Sequence, residues 1–202
     1  MTDFWKRYRR NRAAVFGLVV IVLIIIMALT ASLFYPNDPF RLMGKPLSGP
    51  LTNGFLLGSD SLGRDVASGI VHGAKTSLLI GFVATIVSVF IGIFFGAFAG
   101  YFGGRIDDSL MRVTEIFQTI PSFIFAILLV AIMKPSIVSI VIAIAVVSWP
   151  GVARLVRGEF LALKNREFVQ ACHTLGMSDF RIMLREILPN CLSPIIVVGS
   201  LM

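Results

Sequence analysis

Long apolar stretches alternate with short polar, basic or turn-forming segments along most of this chain. The first runs over residues 13–35 with scarcely a polar side chain. At a rise of about 1.5 Å per residue such a run crosses the roughly 30 Å of a bilayer's hydrocarbon core. It follows the basic residues Lys6, Arg7, Arg9, Arg10 and Arg12. A cleaved leader also begins with a basic segment, but its apolar part is only about 7–15 residues, so a retained anchor is expected.

A second span is predicted over residues 76–100. It carries Gly92, Gly96 and Gly100, four residues apart and so near one helix face. That spacing offers a surface for close helix packing, although glycine is also common in membrane helices. A third span is predicted over residues 113–133, with Glu115 near an interface and Gln118 facing protein or a cavity. A fourth begins after Pro135 and extends to about Val156, kinked at Pro150-Gly151, with Arg154 reaching the headgroups. A last apolar run starts after Pro189. Residues 191–202 would rise about 18 Å, which is half a membrane.

Composition agrees with this pattern. Hydrophobic residues make up 56% and charged residues 14% of the 202 positions. A soluble domain has roughly half its residues apolar and about a quarter charged. A water-soluble enzyme, a disordered tail and a disulfide scaffold are therefore excluded. The formal charge is +7. With the N-terminus inside, only Arg41, Lys45, Arg64, Lys75 and Lys134 of the 18 basic residues fall outside. The positive-inside rule then places the N-terminus and the 157–188 loop in the cytoplasm. This accounts for most of the basic excess, and no nucleic-acid partner is expected. The adjacent Cys172 and His173 point to different helix faces, which favours packing over a metal site or a nucleophile.

Two loops carry information. In the outside loop, Asp60 or Ser61 can cap a short helix leading to the second span. Arg64 and Asp65 can tie the loop or meet a partner. In the inside loop, Asn165 can cap a helix from Glu167 to Leu175, with Gly176 as the residue just beyond its end. Ser178 or Asp179 can cap a second helix, over residues 180–188, that Pro189 ends. Phe168, Ala171, Cys172 and Leu175 form one apolar stripe, and Phe180, Met183, Leu184 and Ile187 another. Lipid headgroups, the chain's own spans or a soluble partner could cover them.

The stretch Gln170-Ala171-Cys172-x-x-x-Gly176, followed by Ile187-Leu188-Pro189-Asn190, resembles the EAA loop of bacterial ABC importer permeases. The outside stretch Leu57-Gly58-Ser59-Asp60-x-Leu62-Gly63-Arg64-Asp65, followed by Gly73-Ala74-Lys75-x-Ser77-Leu78, resembles the second, C-type permease of dipeptide, oligopeptide and nickel importers. So do Asp38-Pro39 and Arg9-Arg10-Asn11-Arg12. The family's Glu-Ala-Ala reads Gln170-Ala171-Cys172 here. Glutamine keeps the hydrogen bonding but loses the charge, which removes a salt bridge at position 170.

The resemblance implies an all-α, polytopic membrane protein with the ABC type I importer transmembrane fold. It implies four full spans plus the start of a fifth, in a chain truncated at its C-terminus relative to a six-span family. It divides the chain into an N-terminal region, 1–73, and an incomplete permease domain, 74–202, with a coupling loop at 165–189. It assigns Glu167, Gln170, Ala171, Gly176, Asp179, Arg181 and Pro189 to coupling. Gly58, Asp60, Gly63, Arg64 and Asp65 go to the extracytoplasmic motif, for an outside gate or a binding-protein contact. The implied setting is a bacterial inner membrane. The implied partners are cytoplasmic ATP-binding cassette subunits, a second permease subunit and an extracytoplasmic substrate-binding protein. No cofactor or metal is implied. The nearest match to a phosphate loop, Gly73-Ala74-Lys75-Thr76, lacks the glycine before its lysine, so ATP hydrolysis is expected in the separate subunits. A membrane enzyme would need clustered Asp, Glu or His, and Asp107-Asp108 is the only adjacent acidic pair, in a Gly-rich turn that suits solvated charges. A structural protein assembling through Gly92, Gly96 and Gly100 is the remaining alternative.

Overall fold

The computed structural model describes residues 8–52 and 54–201. Lys6 and Arg7 lie outside the described residues. Helices dominate, and among the described residues the only β pairing is an isolated bridge between Ser59 and Asp65. Among the described residues four helices are long and apolar enough to cross a membrane, or five spans are present if one bent helix pair counts as a span. The chain divides into two compact units, Met1–Leu79 and Ile80–Met202.

In the first unit, α1 (Arg12–Phe34) starts at Asn11, whose side chain accepts from the Ala14 amide. Only Ala28 and Ala31 of this helix are buried. Large side chains such as Leu29 and Leu33 point outward, as lipid permits when the helix satisfies its own backbone. A loop of turns follows, and α2 (Val66–Phe102) then begins. His72 Nε2 lies 2.9 Å from the Tyr35 carbonyl, joining the first turns of α2 to the end of α1.

In the second unit, the later part of α2 packs on α5 (Ile137–Leu163). A Cβ on Gly92 would lie 2.5 Å from the Val152 Cβ, one on Gly96 2.4 Å from the Ala153 carbonyl oxygen, and one on Gly100 2.6 Å from the Phe160 Cβ. No side chain fits at these positions, so glycine sets the helix separation. α5 begins at Ser136, whose hydroxyl accepts from the Ser139 amide, and its helical run continues through Pro150. It extends to Leu163 rather than to the expected Val156.

The third span departs from expectation. Residues 113–133 are not one helix. α3 (Gly104–Thr119) and α4 (Ser122–Met133) meet at an 82° bend. Pro121 disfavours helical backbone at the residue before it, and Ile120 is extended, with φ −93° and ψ 133°. Glu115 and Gln118 are exposed on the polar α3 instead of lying within an apolar span.

Pro189 also departs from expectation, because it ends nothing. After α6 (Glu167–Thr174), a single helical run, α7, covers Asp179–Leu201. Within it Met183–Ile187 forms a π turn, and the Leu188 amide reaches back to the Met183 carbonyl. Proline removes one donor and crowds the carbonyl a turn earlier, so an i→i−5 turn beside it keeps the helix continuous. The apolar run after Pro189 is thus the second half of a 23-residue helix.

Candidate coupling site

α6 and the start of α7 form a compact corner. Its turn is made by Gly176, at φ +76°. The Gly176 amide bonds to the His173 carbonyl at 2.9 Å, and the Met177 amide to the Cys172 carbonyl at 3.1 Å. These two bonds close the end of α6 as a Schellman motif. The start differs from expectation. Arg166, not Asn165, is the N-cap and makes no side-chain cap bond. Asn165 instead offers its carbonyl to Gln170 Nε2 at 3.2 Å. Ser178 stands at the N-cap of the next helix, also without a side-chain cap bond.

The predicted apolar stripes are each split between two sides. Val169, Ile182, Met183 and Ile187 are buried with Val156 and Phe160 of α5, and Cys172 packs against them. Val169 was absent from the predicted stripe, yet it is fully buried. Phe168, Leu175, Phe180 and Leu184 face outward, with Leu175 81% and Phe180 61% exposed. Ala171 is exposed beside them. Neighbouring helices select an inner face only about two residues wide on so short a helix, which the sequence pattern alone does not locate. Phe180, Leu184, Arg181 and Arg185 line a hollow of about 340 Å³ together with Ser178.

The other coupling candidates are spread along the same segment. Glu167 is in the first turn of α6, where a carboxylate suits the helix dipole. Gln170, Arg181 and Pro189 are exposed. Asp179 is in the first turn of α7 and accepts a 2.7 Å hydrogen bond from Tyr101 Oη.

Two contacts escaped the sequence pattern. Tyr101, at the end of α2, carries no local signal of a partner 78 positions away. Asp107 is not a solvated turn charge. It lies in the first turn of α3, is 8% exposed, and is held by Arg157 of α5. Arg157 Nε and a terminal guanidinium nitrogen reach its two oxygens at 2.5 and 2.6 Å. The partners are fifty positions apart, and only the mixed charges of 105–112 hinted that one was needed.

The loop motif builds a second, separate structure in the first unit. Gly58 and Gly63 have φ of +86° and +78°. A Cβ on either would fall 2.4 Å from the Ser48 carbonyl oxygen and 2.2 Å from that of Gly44, respectively. Asp60 Oδ1 accepts from the Leu62 and Arg64 amides, both at 2.8 Å. These amides, that of Arg64 foremost, together with the Arg64 charge hold the Asp60 carboxyl below its ordinary pKa despite some desolvation. Neither Asp60 nor Ser61 caps a helix. Asp65 does, accepting from the Ala67 and Ser68 amides at the start of α2. The Arg64 guanidinium carbon sits 5.5 Å from the centroid of the Phe40 ring. Arg64, Asp60, Asp65 and His72 share a hollow of about 540 Å³ with Phe40. Among the described residues no group of three or more His, Cys, Asp or Glu could hold a metal ion.

Comparison with known proteins identifies the family. Residues 92–201 match the family described as binding-protein-dependent transport system inner membrane component. Residues 1–50 match the N-terminal TM domain of oligopeptide transport permease C. The chain is 38% identical to the di/tripeptide transport system permease protein DppC of Pseudomonas aeruginosa, over all of this chain and 68% of that protein. It is 41% identical to the oligopeptide transport system permease protein OppC of Escherichia coli, over 99% of this chain and 67% of that one. It is 37% identical to the dipeptide transport system permease protein DppC of Bacillus subtilis, over 98% of this chain and 62% of that one. The chain thus spans about two thirds of the length of these relatives. With a helical membrane fold and a match across more than half its residues, the chain belongs to the inner-membrane permease family of binding-protein-dependent transport systems.

Proposed function

We propose that this chain is a permease subunit of an ABC importer for dipeptides or oligopeptides, driven by separate ATPase subunits that dock on the 165–189 segment. The observation that carries the docking reading is the outward face of α6 and α7. Leu175 and Phe180 stand exposed at a corner whose inner face is already filled by Val169, Ile182 and Ile187. An exposed apolar face on short helices between two spans suits a groove on a soluble partner. Arg181 and Arg185 at its edge suit acidic groups on that partner. Glu167, Gln170 and Ala171 lie on the same element, Gly176 sets its corner, and Asp179 and Pro189 shape its continuation into α7. The peptide substrate class comes from the names of the relatives.

The positive-inside rule supports a cytoplasmic N-terminus and corner, and an extracytoplasmic position for the motif of Gly58, Asp60, Gly63, Arg64 and Asp65. There it would meet a substrate-binding protein. Gly92, Gly96 and Gly100 would serve to hold α2 against α5. A second permease subunit would complete the path.

The test is co-purification of the permease, expressed with its ATPase subunits, from detergent-solubilised membranes. Leu175→Asp with Phe180→Asp should release the ATPases while leaving the permease in the membrane. Full retention of the ATPases by this double variant would overturn the docking face.

A further inference from the structure

We propose that Tyr101 is a positioning residue for transport, whose hydroxyl ties the coupling corner to the end of the second span. The proposal rests on the reading of 165–189 as the ATPase-docking element. Tyr101 Oη donates to Asp179 Oδ1 at 2.7 Å. His173 Nε2 stands 3.4 Å from the same hydroxyl, and its ring lies 26° from parallel to the tyrosine ring. His173 Nδ1 is 4.0 Å from Asp179 Oδ1. One hydroxyl thus meets groups from both helices of the corner, α6 and α7.

The anchor behind Tyr101 is firm. Its neighbour Gly100 is pressed against Phe160 and the Arg157 backbone of α5. The end of α2 is therefore backed closely by α5 beside the tyrosine. Beneath the polar tie, Val169, Ile182 and Met183 hold the corner to α5 through apolar contact. Apolar contact is non-directional and resists separation more than rocking. A hydrogen bond is directional and fixes the angle. Corner and span are attached through contacts of two characters, and the polar one is directional, so it opposes rotation of α6 and α7 about the buried cluster.

This division also separates stability from transmission. The side chains of His173 and Asp179 are 48% and 56% exposed. Exposed polar contacts contribute little to stability. Losing the hydroxyl should leave the fold intact and let the corner rock without moving α2. ATP would then be hydrolysed without proportionate movement of the spans.

The experiment uses the complete importer, with both permeases and the ATPases, reconstituted in liposomes with its binding protein and a labelled dipeptide. Tyr101→Phe keeps the ring and removes the donor. Asp179→Asn weakens the tie from the other side and serves as an independent variant. Tyr101→Phe should retain its ATPases and ATP hydrolysis, while dipeptide imported per ATP falls by about fivefold or more in either variant. The double variant should be no worse than the poorer single one, as expected of two partners in one bond. Wild-type import per ATP in Tyr101→Phe would overturn the proposal. An unaltered permease that retains no ATPase would instead overturn the docking reading, whatever Tyr101 does.

Discussion

Arg157 grips Asp107 with two nitrogens of its guanidinium, Nε at 2.5 Å and a terminal one at 2.6 Å, across the junction of α5 and α3. This fork-to-fork pairing fixes direction as well as distance, which lysine cannot reproduce. The aspartate side chain is 12% exposed and the arginine 36%.

Removing one partner leaves the other charge poorly paired. Asp107→Asn should therefore destabilise the detergent-purified protein by ~1–3 kcal/mol, below the cost for a fully buried pair because Arg157 retains solvent. Arg157→Lys, which keeps the charge but not the fork, should lose part of the same stability. Thermal unfolding followed by reaction of the buried Cys191 with a thiol reagent measures this, and unchanged unfolding in Asp107→Asn would count against the pairing.

The helix contact at Gly96 makes a sharper claim. A Cβ there meets the backbone oxygen of Ala153, which no rotamer change can move aside. Gly96→Ala should cost ~1–3 kcal/mol and reduce the yield of monodisperse protein. Gly81 has nothing within 4 Å of a Cβ, so Gly81→Ala is the neutral control. Size-exclusion profiles of the two variants should differ clearly.

At Gly176 strain is local. Its φ of +76° is rarely adopted by a residue with a side chain, although open space surrounds it. Gly176→Leu should cost ~1–2 kcal/mol at the corner and abolish transport while membrane insertion stays intact. Uptake assays paired with membrane fractionation decide this. Normal uptake would show that the corner's geometry is dispensable.

Asp60 gives a pH dependence. Its folded pKa lies below the ordinary carboxylate value. The group therefore supports the loop in full above its unfolded pKa, and that support fades as pH falls through the folded value. Hydrogen-exchange protection of the Leu62 and Arg64 amides, corrected for intrinsic rates, should drop on acidification. Asp60→Asn should be less protected at neutral pH and nearly insensitive to acid.

The sequence pattern located the apolar runs well because lipid imposes a length and composition that no soluble context demands. It read Gly92, Gly96 and Gly100 as one face, and Gly176 as a helix end, because both are local periodic or conformational signals. It carried the helix rightly through Pro150 but misjudged Pro121 and Pro189. Pro121 bends the chain by 82°, whereas Pro189 sits inside a continuous helix. The difference lies in the neighbouring backbone, extended at Ile120 and widened to a π turn before Leu188. The site was legible as a segment but not as a face. Val169 pointing inward and Tyr101 reaching Asp179 depend on α5 and α2, which are distant in the chain.

The π turn has one more effect, on angle. In a regular helix each residue turns about 100°, so five positions overshoot a full turn by about 140°. Ile182 and Ile187 are five apart, yet both are buried, in line with Cys191 and Ile195. The wide turn between them takes up the surplus residue and restores the phase. Without it, the seam of the corner and the seam of the membrane half would lie on nearly opposite sides of one rod. With it, one stripe of buried side chains runs from Ile182 through Ile187 and Cys191 to Ile195, so the corner and the apolar half of α7 are seated along one seam.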